Sequence, residues 1–383
     1  MSYTFLQQYW WCIISLLEGL LAFMMFVQGA NSLVFSLTGN EQERRLIFNS
    51  TGRKWELTFT ILVTYGGAFF ASFPLFYSTS FSGAYWMIIL FTFVLQAVSY
   101  ELQYKVGNFL KPCTFQICLV INGVLAPLLL GMAIGTFFNG ANFTIDRTSI
   151  LGPAFSDASH VSMWTSSFYG LDALQNIWNW IFGLAFLFLA RTLGCLYIIN
   201  NVNVEIKAIR IKAKQQARAN MVPFLVFFCL SLGHLACATG YGYDPATGIV
   251  STVPYKYMKT LFTLWPIALM IAVGTCVFIF GSVYAATCRS YRKGIWGAGL
   301  GAILNVWALG LLAGFNNTVF YPSIDDPQSG LTIANSCSSE FTLRTMFVVS
   351  LAIPIVLAYI VYAWYKIDKR KITAQELEKE EHY

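Results

Sequence analysis

The sequence predicts an all-α polytopic membrane protein with nine transmembrane helices, N-terminus outside and C-terminus inside. Three observations predict it. The 383-residue chain is 57% hydrophobic and only 11% charged, with mean hydropathy +0.60, whereas a soluble globular chain carries about 25% charged residues. Apolar runs long enough to cross a bilayer, about 20 residues each, recur nine times. Lysine and arginine divide unevenly between alternate loops, the asymmetry that sets orientation.

The expected spans are 9–36, 55–79, 82–104, 113–137, 166–199, 221–240, 260–287, 294–315 and 342–366. The first follows MSYTFLQQYWW, which has neither a basic leader nor a small-residue cleavage site, so a retained helix is expected. The second and third form a hairpin whose far turn is only Ser78 to Ser82. Prolines 74, 127, 223, 266 and 354 are tolerable in membrane helices and bend them. Gly66-Gly67 and the cluster Gly297, Gly299, Gly301 offer smooth faces for close helix packing. Asn139-Gly140, Asp244-Pro245 and Asp325-Asp326-Pro327 supply turn chemistry for short ordered outer loops. Trp10-Trp11 and Trp164 suit an interfacial aromatic belt.

With the N-terminus outside, inner loops and tail hold nineteen cations, from Arg44, Arg45, Arg53 and Lys54 through Lys207–Arg218 to Lys366–Lys379. Outer loops hold three: Arg147, Lys256 and Lys259. An even number of spans would destroy this alternation. The net charge of +6 is scattered through short loops, which excludes a nucleic-acid surface. The nine cysteines fall mostly inside apolar runs (Cys12, Cys118, Cys195, Cys229, Cys276) without a CxxC pair, and read as small buried hydrophobes rather than metal ligands. The three histidines, His160, His234 and His382, cannot provide the several axial ligands a multi-haem protein needs. No phosphate-binding loop, dinucleotide fingerprint, zinc-protease motif or serine triad is visible.

Charged groups within membrane helices are costly and mark candidate sites: Glu18, Glu56, Glu101, Asp172, Arg191, His234 and Arg344. Glu56 and Glu101 fall at the inner ends of two hairpin helices and are expected to be neighbours, with Lys105 one turn after Glu101. They read either as an interfacial ion-pair cluster or as a water-accessible proton entry. Glu18 is open to pairing with Arg344, to bonding an outer hydroxyl, or to facing a partner subunit. Asp172 and Arg344 suit interfacial anchors, and His234 a hydrogen-bonded structural residue.

The stretch ERRLIFNSTGRKWE (residues 43–56), then GGAFFASFP, a tyrosine and FSG, resembles subunit II of cytochrome bd quinol oxidases. The resemblance continues through Pro322-Ser323, Ser329 to Ile333 (SGLTI), Ser338-Ser339, Thr342-Leu343, Pro354 and YAWYKI to the terminal Tyr383. It implies two four-helix bundles plus a peripheral helix, here 1–140, 141–316 and an outer loop with the ninth span at 317–366, then a cytoplasmic tail at 367–383. It also implies a multi-pass protein of the bacterial inner (cytoplasmic) membrane that binds no haem itself. Haems b and d are expected on the partner, subunit I, with a structural quinone or lipid and a small accessory subunit as further possible associates. Trp55, Gly66, Gly67 and Pro74 match structural motif positions. The proton path expected at the subunit interface maps onto Glu56, Glu101, Lys105 and Tyr383.

Three departures from the family pattern stand out. The Gly-Asn-x-Val-Trp that follows the acid is Leu57 to Ile61, the acids around a glycine in the first helix are replaced by Val27-Gln28-Gly29-Ala30-Asn31, and an arginine late in the third is Gln96. The expected function is therefore support of quinol oxidation coupled to reduction of oxygen to water, with proton uptake from the inner side. A secondary transporter using Glu18, His234 and Asp172 is the alternative.

Overall fold

A backbone in hydrocarbon must satisfy its own hydrogen bonds, and the apolar runs of this chain do so as helices. The structure, a computed structural model, describes residues 2–102, 112–146, 161–201, 207–288 and 291–353, with 355, 358, 359, 361, 362, 364 and 366. In chain order the first part comprises α1 (Tyr3–Met24), α2 (Phe26–Ser32), α3 (Val34–Leu37), α4 (Glu41–Gly52), α5 (Trp55–Ser72), α6 (Pro74–Phe81), α7 (Ala84–Leu102) and α8 (Pro112–Asn139). The second comprises α9 (Ile177–Asn201), α10 (Lys207–Cys237), α11 (Lys256–Thr263), α12 (Trp265–Thr287), α13 (Gly294–Gly314), α14 (Ile333–Ser336) and α15 (Glu340–Ser350). Loops at one end form three two-stranded antiparallel ribbons, β1 (Phe143–Ile145) with β2 (Ser162–Trp164), β3 (Gly240–Tyr243) with β4 (Val250–Val253), and β5 (Val319–Tyr321) with β6 (Leu331–Thr332). The opposite, basic end, where α7 and α9 finish and α5 and α10 begin, carries Arg44, Arg45, Arg53, Lys54, Arg210, Lys212, Lys214 and Arg218.

Among the described residues seven helices are long and apolar enough to cross a membrane: Tyr3–Ser32, Ala84–Leu102, Cys113–Asn139, Ile177–Asn201, Ala208–Cys237, Trp265–Thr287 and Gly294–Gly314. The remaining two expected spans fall on α5–α6, interrupted at Phe73 ahead of Pro74, and on α15, which is described to Ser350.

Several boundaries differ from expectation. The first helix begins at Tyr3 rather than residue 9, because the Ser2 hydroxyl accepts from the Phe5 N–H and caps it. The span expected from 166 begins at Ile177, after a 3₁₀ turn at Leu171–Gln175, so Asp172 lies outside the spanning helix. The span expected from 221 begins at Lys207, which puts Arg210, Lys212, Lys214 and Arg218 on helix instead of loop. The run from 260 breaks at Leu264, ahead of Pro266 in the first turn of α12.

Helix α1 packs on α5 and α13, α2 on α8 and α9, α9 on α10, and α12 on α13. Glycines make the tightest crossings. A Cβ on Gly29 would lie 1.8 Å from the Ala190 carbonyl oxygen, and one on Gly194 2.3 Å from the Ala30 nitrogen. Gly299 and Gly301 likewise abut Phe23 and the Gly274 carbonyl, whereas a Cβ on Gly67 would meet nothing within 4 Å. The expected packing role for Gly67 is therefore not met among the described residues.

Two further expectations are corrected. Trp10 and Trp11 are core residues, not a belt: Trp11 is 1% exposed, contacts Phe73 and Phe320, and donates its indole N–H to the Gly310 carbonyl. Of the cysteines, Cys195 is buried, but Cys229 and Cys276 are exposed on their helices. Membrane helices expose apolar side chains outward, so an apolar run does not by itself imply burial.

Candidate functional site

At the basic end the chain leaves α4 at Gly52, passes Arg53 and Lys54, and enters α5 at Trp55-Glu56. Glu56 occupies the first turn of α5, where the helix dipole favours a carboxylate. Helix α7 returns antiparallel and finishes with Tyr100, Glu101 and Leu102. Trp55 stacks on Tyr100 with ring centroids 6.0 Å apart and 16° between planes. That stack bridges the two carboxylate-bearing helix ends through their aromatic side chains, and both Glu56 and Glu101 are exposed on the surface of this chain. Lys105 and Tyr383 lie outside the described residues.

Behind the stack is a buried ring of neutral polar groups. The Asn31 side-chain Nδ2–H donates to the Tyr100 hydroxyl (2.8 Å), which donates to the Thr51 hydroxyl (2.8 Å), which donates to the Asn31 side-chain Oδ1 (2.9 Å). One turn deeper the Gln28 amide N–H donates to the Gln96 side-chain oxygen at 2.9 Å, both residues being fully buried. These are the positions where the resemblance led one to expect acids and an arginine. The structure brings the replacements into contact, an uncharged pair bridging α2 and α7.

Lys54, read from sequence as a loop cation, is 1% exposed. Its ammonium stands 4.1 Å from the centroid of the Trp364 ring and 5.5 Å from that of Tyr197. Trp364 in turn packs against Phe23, Phe26 and Trp296. No local signal distinguishes Lys54 from Arg53, because the aromatic cage is assembled from residues far along the chain.

The other intramembrane candidates are dispersed. Arg344 pairs with Glu340 at 2.7 Å on an exposed face of α15, so it is not the partner of Glu18. Glu18 is 3% exposed, which also removes the reading that it faces a partner subunit, and its Oε1 has no hydrogen-bond partner among the described residues. It borders a small cavity with Tyr65, Trp86, Phe137 and Phe186. His234 stacks on Trp178 with centroids 3.9 Å apart, and its Nε2 lies 2.9 Å from Asn139 Oδ1. Asp172 accepts from the Ser166 hydroxyl at 2.8 Å. Arg191 donates from Nε to the Ser32 hydroxyl at 3.2 Å. Glu18, His234 and Asp172 therefore occupy three separate surroundings. Among the described residues no cluster of His, Cys, Asp and Glu has the arrangement of a metal site.

Comparison with known proteins adds a consistent pattern. A family model described as cytochrome bd terminal oxidase subunit II matches residues 6–367. The chain is 24% identical to cytochrome bd-I ubiquinol oxidase subunit 2 of Escherichia coli (strain K12) over 396 residues, covering 100% of this chain and 99% of that one. It is 23% identical to cytochrome bd ubiquinol oxidase subunit 2 of Bacillus subtilis (strain 168), covering 95% and 96% of the two chains. In fold it is similar to a chain of the bd oxidase from Geobacillus thermodenitrificans, with a TM-score of 0.66 at 14% identity, over 94% of this chain and 98% of that one.

Proposed function

This chain belongs to the cytochrome bd terminal oxidase subunit II family, and from that premise we propose that it is the haem-free subunit of a bacterial respiratory quinol oxidase. It is an oxidoreductase subunit, not a catalyst alone. In this reading subunit I carries haems b and d, oxidises quinol and reduces oxygen to water, and the present chain packs beside it in the inner membrane. Among the described residues no histidine stands free as an axial haem ligand. His234, the histidine on a described spanning helix, is stacked on Trp178 and hydrogen-bonded to Asn139.

The nine-span topology with its N-terminus outside, the bundles at 1–140 and 141–316 and the peripheral span in 317–366 belong to the same proposal, as does the cytoplasmic tail at 367–383. So do a bound structural quinone or lipid and a small accessory subunit. The seven apolar helices and the gathering of cations at one end support the topology.

Glu56 and Glu101 serve as the proton entry, exchanging with water at the basic end and assisted by Lys105 and Tyr383. The observation that carries this is the Trp55–Tyr100 stack, which joins the ends of α5 and α7 that bear the two exposed carboxylates. Both residues are exposed on this chain, at the end of the hairpin where a path between subunits would open to water. The transporter alternative lacks a comparable assembly, since Glu18, His234 and Asp172 do not converge.

The test is the double variant Glu56→Gln/Glu101→Gln in the assembled complex. A slower quinol-dependent oxygen consumption that deepens as pH rises is expected, because protons become scarcer at the entry. Unchanged turnover across pH, with assembly intact, sinks the proton-entry role.

A further inference from the structure

We propose that the start of α10 binds the phosphate headgroup of an anionic phospholipid. The helix has 31 residues, about 46 Å at 1.5 Å per residue, against about 30 Å of hydrocarbon. Its first turns therefore project beyond the apolar slab. Val222, Val226 and Leu230 are exposed at four-residue spacing along the apolar part. The same four-residue ridge continues back through Arg218, Lys214 and Arg210. Arg218 stands one turn before Val222, where a headgroup meets acyl chains.

The ridge converges with a second element. The Lys214 ammonium donates to the Cys288 carbonyl at 2.5 Å, tying α10 to the end of α12. Lys214 stands one helical turn from each of Arg210 and Arg218, and Arg292 lies just ahead of α13. Among the described residues no carboxylate lies within ion-pair distance of Lys214, Arg218 or Arg292. Like charges four residues apart on a helix repel, so an anion seated between Lys214 and Arg218 relieves that pair. Phe280, Val283 and Tyr284 are exposed on the last turns of α12, the helix that ends at Cys288. A phosphodiester carrying acyl tails meets both halves of this surface, whereas free phosphate meets only one. Orientation alone needs cations in the loop but not their alignment on one ridge, and basic pockets beside membrane helices are a known form of lipid recognition.

The whole complex, purified and held in phosphatidylcholine nanodiscs containing phosphatidylglycerol, is examined by native mass spectrometry for retained phosphatidylglycerol. Lys214→Gln/Arg218→Gln should bind it about 25-fold more weakly, roughly fivefold for each cation near the surface. Arg45→Gln, an exposed cation on α4, should leave retention unchanged. Three outcomes overturn the proposal: equal retention by the double variant, displacement of the lipid by an equal concentration of inorganic phosphate, or loss of subunit I with lipid retention unchanged. If the double variant fails to fold, as read from its melting temperature, Arg218→Gln alone carries the test at about fivefold.

Discussion

The crossing of α2 and α9 is where a single methyl group should do the most damage. In Gly29→Ala the new Cβ would lie 1.8 Å from the Ala190 carbonyl oxygen and 2.2 Å from its carbon, where ordinary contact begins at 3.4 Å. The obstruction is backbone, so the two helices must part by more than 1 Å or α2 must rotate. Either movement displaces Gln28 and Asn31, which flank the glycine and hold hydrogen bonds of 2.9 Å to Gln96 and 2.8 Å to Tyr100. Bonds at that length are lost once the atoms separate beyond about 3.5 Å. Overpacking costs about 1–3 kcal/mol, and each interhelical hydrogen bond in a membrane protein contributes about 0.6 kcal/mol. The sum is about 3 kcal/mol. The expected result is a complex that assembles poorly and melts well below the wild type in detergent. Gly67→Ala, whose Cβ meets nothing within 4 Å, is the matched control and should melt with the wild type. If Gly29→Ala is as stable as Gly67→Ala, the close crossing is not a determinant of the fold.

Tyr100→Phe removes the hydroxyl that links Asn31 and Thr51; a loss of about 1–2 kcal/mol in melting experiments is expected, and no loss would show that another group or water replaces it. Lys54→Met keeps the apolar stem but deletes the cation over Trp364, a contact worth about 2 kcal/mol when desolvated; hydrogen exchange around Trp364 should accelerate, and unchanged exchange refutes the clasp. Asp244, in the loop between β3 and β4, accepts from the Thr247 hydroxyl and the Ala246 N–H, which hold its carboxyl below the usual range. A depressed folded value means the stabilisation is present above the unfolded value and fades as pH falls through the folded one. Protection of the Ala246 amide should therefore decline only in acid, and Asp244→Asn should flatten that dependence.

Much of the architecture was legible because the apolar length required to cross a bilayer leaves a signal in the chain. Span 113–137 corresponds to Pro112–Asn139, and 294–315 to Gly294–Gly314. Less legible was which side of a helix faces inward. Trp10-Trp11 near a helix end looks the same whether it meets headgroups or Phe320, and only the packing of distant segments decides. Charge density misled at Lys207–Arg218, where a cationic run reads as loop although α10 is helical from its first cation. Within the candidate site, the hairpin placing Trp55-Glu56 near Tyr100-Glu101 followed from its short turn. The Lys54 cage and the Gln28–Gln96 pair did not, because each joins residues dozens to hundreds of positions apart.

The most direct measurement of the central claim is a tagged purification of this chain from native membranes followed by a visible spectrum. The account predicts a second, haem-rich subunit in the preparation, with reduced b- and d-type absorption bands and quinol-dependent oxygen consumption. A colourless chain that purifies alone and moves a solute across vesicles would contradict it.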